Sequence, residues 1–265
     1  YLGEEEPLLT ETEPFEVTGL EKYLLEQKLV EQGLEGRDLS DHFLSFKAEG
    51  NLPLGVPGEV AFQEICRGIR PYLERLSSYR RGERLAPLAV DLCLGEFRLT
   101  GRVENIFADH LVHHRYTTMK AADRLRIWIH HLVLNRINPP NYPCNAVLVC
   151  QDGTCQYPSI DNCEALLQDL LARYWQGSKI PLPFFPTTSW TYARTLADGK
   201  GRDQALRSAG ECWQGNEFRS GEGADPYYQL CFGEIDPLSA DFESYSEAIF
   251  GPLIRWEKKI AHGLS

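Results

Sequence analysis

The chain carries eight cysteines but no Cys-x-x-Cys pair, the spacing on which most zinc and iron–sulfur sites are built. Its tightest group, Cys144, Cys150, Cys155 and Cys163, matches none of the usual ligand spacings, so no metal or cofactor is expected. Cys66 falls in a helical pattern and Cys93 and Cys150 in apolar strand patterns, where small buried thiols are common. Free thiols and a reduced, cytosolic setting are therefore expected. No run approaches 18 uninterrupted apolar residues and no signal peptide opens the sequence, which argues against a membrane span or a secretory route. There is no internal repeat. Residue 1 is Tyr rather than Met, from which the chain is expected to be a fragment of a longer polypeptide.

Positive charge is also scarce. Lys and Arg number 27 against 38 Asp and Glu, a net charge of −11. An autonomous DNA-binding domain normally shows a basic excess, because phosphate neutralisation supplies most of its affinity. The deficit is uneven: residues 1–59 hold 14 acidic against 4 basic residues, whereas 67–136 hold 13 basic against 7 acidic. Any DNA affinity is thus expected to be weak and to reside in the Arg-rich middle, with Arg98, Arg102, Arg115 and Arg126 as candidate contacts. The acidic stretch suits a basic protein surface better than DNA.

With 43% apolar and 11% aromatic residues, the 265-residue chain can bury a sizeable core. Its clearest pattern spans 86–136. Leu88, Val90, Leu92 and Leu94 alternate, Gly95-Glu96 interrupts, and Phe97, Leu99, Gly101 and Val103 resume, which predicts a β-hairpin. His110 to Tyr116 predicts a third strand. Thr118 is placed to cap a helix from Met119 to Arg136, with Ala121, Leu125, Trp128 and Leu132 on one face. Hairpin, strand and helix in this order predict an α/β (α+β) fold with a restriction-endonuclease-like, PD-(D/E)XK nuclease-like core and extra helices.

Such a nuclease needs carboxylates converging on divalent cations, which activate water and neutralise charge developing on phosphate. A Lys belongs beside them. Gly101-Arg102-Val103-Glu104 keeps one carboxylate. On the next strand, His113-His114-Arg115-Tyr116-Thr117 puts Arg115 where the second carboxylate belongs and Thr117 where the Lys belongs, and the helix offers Arg124 where active members bring a Gln. The site is read as catalytically degenerate at Glu104, Arg115, Thr117 and Arg124. The alternative is a living metal-dependent nuclease that uses Glu104 with migrated partners such as Asp91, Glu96 or Asp109. The seven histidines include five between 110 and 131; His113 and His114 point to opposite faces of a strand and His130 and His131 lie about 100° apart on a helix, so ordinary hydrogen-bonded or exposed imidazoles are expected.

Residues 1–85 read as an acidic helical lobe. Thr18-Gly19-Leu20-Glu21 is a capping box opening a helix that ends near Gly33. A second helix follows from Asp38 to Glu49, Leu52 to Gly58 forms a stiff turn, and Val60 to Arg81 is helical, with Pro71 expected to kink or split it. Residues 86–265 read as the nuclease-like core with C-terminal helices. Asn145 to Cys150 predicts a buried strand turned back at Gln151 to Thr154, and helices are predicted over 161–176, 202–213 and 242–259. Residues 181–190, rich in Pro and Phe, are expected to be irregular. Phe184, Phe185, Trp190, Tyr227 and Tyr228, in irregular segments, are candidate docking anchors.

Several stretches together resemble the C-terminal domain of the RecC family, the gamma subunit of exodeoxyribonuclease V. They are Glu11-Thr12-Glu13-Pro14-Phe15, Ala48 to Gly55 running into Gly58-Glu59, Leu99-Thr100-Gly101, Trp128 to Val133, Gly215-Asn216 and Gly221 to Gln229. The resemblance implies a non-catalytic nuclease-like fold within the RecBCD helicase–nuclease of a bacterial cytoplasm. It implies RecB-like and RecD-like subunits as partners, and DNA ends and separated strands as what the assembly handles in double-strand break repair and recombination. On this reading the domain acts in subunit assembly and strand guidance and is no enzyme by itself.

Overall fold

The computed structural model describes residues 17, 19–233 and 235–260. The predicted cap Thr18 and the stretch Glu11 to Phe15 lie outside the described residues. The chain divides into two compact units at Ser77 and Ser78, ahead of the expected boundary at 85.

The first unit is helical. Helix α1, Gly19–Leu34, buries Leu25, Leu29 and Val30. A 3₁₀ turn, Leu39–His42, follows, opened by Asp38, whose Oδ1 accepts from the Ser40 amide at 2.9 Å. That turn runs into α2, Phe43–Ala48, and then α3, Val56–Ser77. Helix α3 therefore begins inside the segment read as a stiff turn. Gly58 makes that start possible, because a Cβ there would collide with the Pro53 carbonyl oxygen. Pro71 does not split α3: it sits on the exposed side, while Ile69, Tyr72 and Leu76 continue the buried face past it.

The second unit is a mixed α/β assembly of helices and small sheets. Strands β1, Leu88–Leu94, and β2, Phe97–Val103, form the expected hairpin, in register from Leu88 opposite Val103 to Leu94 opposite Phe97. Gly95 takes φ +62° in the two-residue turn, a conformation that favours glycine. Strand β3, Leu111–Arg115, belongs to a different sheet from the hairpin and is tied to the chain after β2, where Ile106 bridges Leu111 and the Val112 amide donates to the Asn105 carbonyl at 2.9 Å. Helix α4, Ala121–Ile137, crosses over to β4, Ala146–Cys150, which is parallel to β3. Thr118 does not cap α4. Asp152 holds the Met119 amide at 2.9 Å and keeps that residue outside the helix, and Asp123 reaches back to the amide of the actual N-cap, Lys120, at 3.2 Å.

Strand β5, Gly153–Tyr157, turns back antiparallel to β4, and β4 is buried along its whole length. Helix α5, Cys163–Gly177, lies near its predicted place. Residues 181–185 are irregular, as expected, but 186–190 are not, because Pro186 opens helix α6, Pro186–Ala197. Proline is suited to the first helical position, where its missing N–H costs nothing. Helix α7, Arg202–Gln214, is followed by a minimal hairpin, β6, Gly215–Asn216, with β7, Arg219–Ser220, then by α8, Pro226–Phe232, and α9, Ala240–Trp256. The backbone becomes extended at Glu257, ending the predicted 242–259 helix early. The last described residues form β8, Lys258–Ile260, antiparallel to β5.

Among the described residues, a larger and a smaller core hold this unit. The larger gathers Trp128, Leu132, Leu148, Tyr157 and Leu253 around the sheet and α4. The smaller centres on Phe185, wholly buried among Trp213, Tyr228, Phe232 and Phe242. The Gly221–Gln229 stretch locks it. Glu222 accepts the first free amides of α6 from Thr187 and Thr188 at 3.1 and 2.7 Å, and Gly223 packs so closely on the Trp213 indole that a Cβ would sit 2.5 Å from it.

Candidate functional site

Strand β2 ends at Val103, and the chain then turns through Glu104 and Asn105, the latter at φ +60°. Strand β3 starts with Leu111 and Val112 fully buried and ends with His113, His114 and Arg115 partly exposed. Along α4, Asp123, Arg126 and His130 follow at steps of three and four, which puts them on one helical face. Glu104 and Asn105, the three partly exposed residues of β3 and the three of α4, with Arg102 and with Leu148 from β4, line one cleft of about 370 Å³.

Both carboxylates of the cleft are taken by guanidinium groups. Arg102 Nε lies 2.8 Å from Glu104 Oε1, and Arg115 Nη1 lies 3.2 Å from Asp123 Oδ1. Asp123 also accepts from the Lys120 amide, so its position is fixed by the helix start. Arg126 is exposed and forms no ion pair with any described residue. Among the described residues, no three His, Cys, Asp or Glu side chains are grouped so as to hold a metal ion.

The imidazoles of His113 and His130 touch: Nε2 of the first and Nδ1 of the second are 3.0 Å apart, with the rings edge to face at 4.9 Å between centroids. Burial pushes the His113 pKa down to about 3, helped by the charges of His130 and Arg126 and opposed by Asp123. Burial, then Arg126, also lowers His130, and burial, then Arg80, lowers His114. At neutral pH the three rings are uncharged. The cleft then carries three guanidinium groups against two carboxylates.

Of the four residues expected to mark the degenerate site, Glu104 and Arg115 meet in this cleft and Thr117 and Arg124 do not line it. Thr117 belongs to the turn after β3, where its amide donates to the Arg115 carbonyl at 2.9 Å and its carbonyl accepts from the Gln151 amide at 3.0 Å. Arg124 is buried elsewhere on α4, paired with Glu257 at 2.9 Å and stacked on Trp190 at 4.5 Å. Of the candidate DNA contacts, Arg102, Arg115 and Arg126 line the cleft, whereas Arg98 pairs with Asp91 across the hairpin at 2.8 Å. Sequence reasoning missed Asp123 and the pairing of His113 with His130. The i, i+3, i+7 spacing of Asp123, Arg126 and His130 was the available signal.

The proposed docking anchors separate. Phe185 is wholly buried, so it cannot serve as one. Phe184 and Trp190 pack against Phe250, and Tyr228 packs on Phe185. Tyr227 is 78% exposed, and Phe218 (95%) and Leu230 (85%), nearby in sequence and not among the expected anchors, are more exposed still. None of the eight cysteines forms a disulfide. No helix among the described residues is long and apolar enough to cross a membrane.

The family model of the RecC C-terminal domain matches residues 1–197, ending with the last residue of α6. Among curated proteins, the chain is similar to RecBCD enzyme subunit RecC of Escherichia coli strain K12, 25% identical over 266 residues, covering 96% of this chain and 23% of the relative. The subunit of the same name from Mycobacterium tuberculosis (strain CDC 1551 / Oshkosh) is 28% identical over 233 residues, covering 85% of this chain and 21% of the relative. That from Haemophilus influenzae is 23% identical over 274 residues, covering 97% and 23%. The chain thus spans less than a quarter of the length of these relatives.

Proposed function

Because the chain belongs to the RecC C-terminal domain family, we propose that it is a nuclease-like but non-catalytic domain of the gamma subunit of exodeoxyribonuclease V, acting in subunit assembly and DNA strand guidance during double-strand break repair and recombination. The observation that carries the non-catalytic reading is the closure of both cleft carboxylates by arginine. A two-metal nuclease site is built from free carboxylates turned toward the cations, and Glu104 and Asp123 each already face a guanidinium. The exchange replaces a cation that would have to be recruited with cations built into the chain. Such a cleft can attract phosphate but cannot activate a water.

The assembly part of the proposal is supported by surface chemistry. In the second unit, Tyr227 and Leu230 lie three residues apart on α8, on the side away from the Phe185 cluster, and both are largely exposed. A tyrosine buried at the centre of a subunit interface contributes more than rim charges do, and an exposed leucine beside it adds apolar area to the same patch. A RecD-like subunit is the first partner to test and a RecB-like subunit the second. The test is co-purification of each with this chain, together with single-stranded DNA binding by the chain. Binding of neither subunit, with no DNA affinity at low salt, would sink the proposal.

A further inference from the structure

The charge count in the cleft leaves one positive charge over, and Arg126 is the group that carries it uncommitted. It lines the same cleft as His113 and His130, and its charge lowers the pKa of both rings. The shared hydrogen bond has a consequence that does not depend on which ring donates. In a neutral pair, one ring gives its only proton to the other, so its outer nitrogen is a bare lone pair. The accepting ring must carry its own proton on its outer nitrogen. The pair therefore offers one N–H donor and one protonatable nitrogen beside a guanidinium fork whose geometry suits phosphate oxygens.

We propose that the cleft bounded by β2, β3 and α4 is a binding site for a single phosphodiester, taken by the Arg126 guanidinium and by the outer N–H of the His113–His130 pair. A phosphodiester carries one negative charge, which matches the one uncompensated positive charge of the cleft. Arg102 with Glu104 from the end of β2, and Arg115 with Asp123 from β3 and α4, form the walls, His114 lines the cleft from β3, and Leu148 contributes from β4. Burial is the main cause that keeps the imidazoles neutral and Arg126 adds to it; a bound anion opposes both by bringing a counter-charge. The anion offsets the Arg126 charge that disfavours a second proton, so the bare nitrogen takes one up and gives a further charge-assisted hydrogen bond. The inference deepens the proposed strand-guidance role and rests on it for the source of the phosphate.

The test is NMR titration of the His113 and His130 ring signals in the full chain between pH 3 and 8, with and without a thymidine dinucleotide, whose single phosphodiester does not itself titrate in that range. The dinucleotide is expected to raise the pKa of the pair by one unit or more, equivalent to at least tenfold tighter binding at the acidic end. Arg126→Gln, at an exposed position that leaves the core intact, is expected to weaken binding about tenfold and to remove the shift. Ring signals that do not respond to the dinucleotide, or that respond equally in Arg126→Gln, overturn the proposal. Thymidine 5′-monophosphate forms a second arm, and a response to the monoester with none to the diester also overturns it. Single-stranded DNA binding is measured in parallel: a chain that binds DNA while its imidazoles stay silent loses this inference alone, and one that binds the dinucleotide but no longer strand loses only the guidance role.

Discussion

The Arg124 guanidinium and the Glu257 carboxylate meet at 2.9 Å across 133 residues of chain, with side chains 10% and 0% exposed. Tyr157 donates its hydroxyl to the same carboxylate oxygen at 3.0 Å, and the Trp190 ring lies under the guanidinium at 4.5 Å. The pair fastens α4 to the turn between α9 and β8. An arginine that the sequence pattern places beside the chemistry is instead a structural tie.

Removing one partner of a buried pair strands the other charge. Glu257→Ala is expected to cost about 3–5 kcal/mol of unfolding free energy, measured by urea denaturation. The double replacement Arg124→Met with Glu257→Gln is expected to recover much of that loss, because both charges leave together. A double variant as unstable as the single would mean that the pair itself, not the stranded charge, supplies the stability.

The arginine-closed cleft leads us to expect that the chain degrades neither single- nor double-stranded DNA with Mg²⁺ or Mn²⁺, and that Glu104→Ala changes nothing in that assay. Cleavage that vanishes in Glu104→Ala would establish the metal-dependent alternative instead.

The arginines should not contribute equally to DNA affinity. Arg98 is held by Asp91 in a bidentate pair, whereas Arg126 has no acidic partner among the described residues. Arg126→Glu is expected to reduce the slope of log K against log salt by about one, the amount set by one lost phosphate contact. Arg98→Glu is expected to change it less. Equal effects would place the strand along the hairpin and not in the cleft.

What the sequence disclosed follows from how far each signal reaches along the chain. The β1–β2 hairpin and α4 were legible because their periodicity runs through seven or more residues. The 186–197 helix was hidden behind the Pro and Phe of 181–186, because proline at a helix start resembles proline in a loop. Strand β8 spans three residues, too few for an alternation to show, and its pairing with β5 is fixed by contacts about a hundred residues away. The cleft was half legible: Glu104 and Arg115 follow from strand position, but the His113–His130 contact depends on how α4 crosses β3. The same holds for Arg124, since only the crossing decides which face of α4 meets Glu257.

His131 provides a pH-dependent element away from the cleft. It is wholly buried, with Nε2 3.0 Å from the Pro158 carbonyl and Nδ1 accepting from the side-chain Nδ2 of Asn135 at 3.1 Å, a pattern that requires the neutral ring with its proton on Nε2. Burial pushes its pKa down to about 4, below the ordinary histidine value of 6.5, the Pro158 bond opposing more weakly. Between those two values the unfolded chain binds a proton that the folded chain does not, so stability is full above pH 6.5 and falls as the solution is acidified. The expected loss is about 1.4 kcal/mol per pH unit from this ring. Urea midpoints at pH 7.5, 6 and 5 should show the decline, and His131→Gln should make it shallower. An unchanged slope in that variant would mean that His131 protonates without opening its site.

Subunit docking through the surface of α8 can be separated from folding because the helix has two different sides. Tyr228 and Phe232 turn inward onto Phe185, whereas Tyr227 and Leu230 stand in solvent. Deleting the chain from Gly215 onward would be a poor test. It would remove α9, whose Phe242, Phe250 and Leu253 are fully buried, and any loss of binding would then reflect unfolding. Tyr227→Ala combined with Leu230→Ser removes exposed side chains only and is expected to leave thermal stability within about 0.5 kcal/mol of the parent chain. If α8 is the anchor, the pair of substitutions should weaken capture of a RecD-like subunit by about tenfold or more, since an interface hot spot contributes about 2 kcal/mol or above. Tyr228→Ala is the contrasting variant: it should destabilise the domain without a specific effect on the fraction that remains folded. Capture that survives Tyr227→Ala with Leu230→Ser at full strength would move the docking surface away from α8, with the acidic first unit next in line for a basic partner.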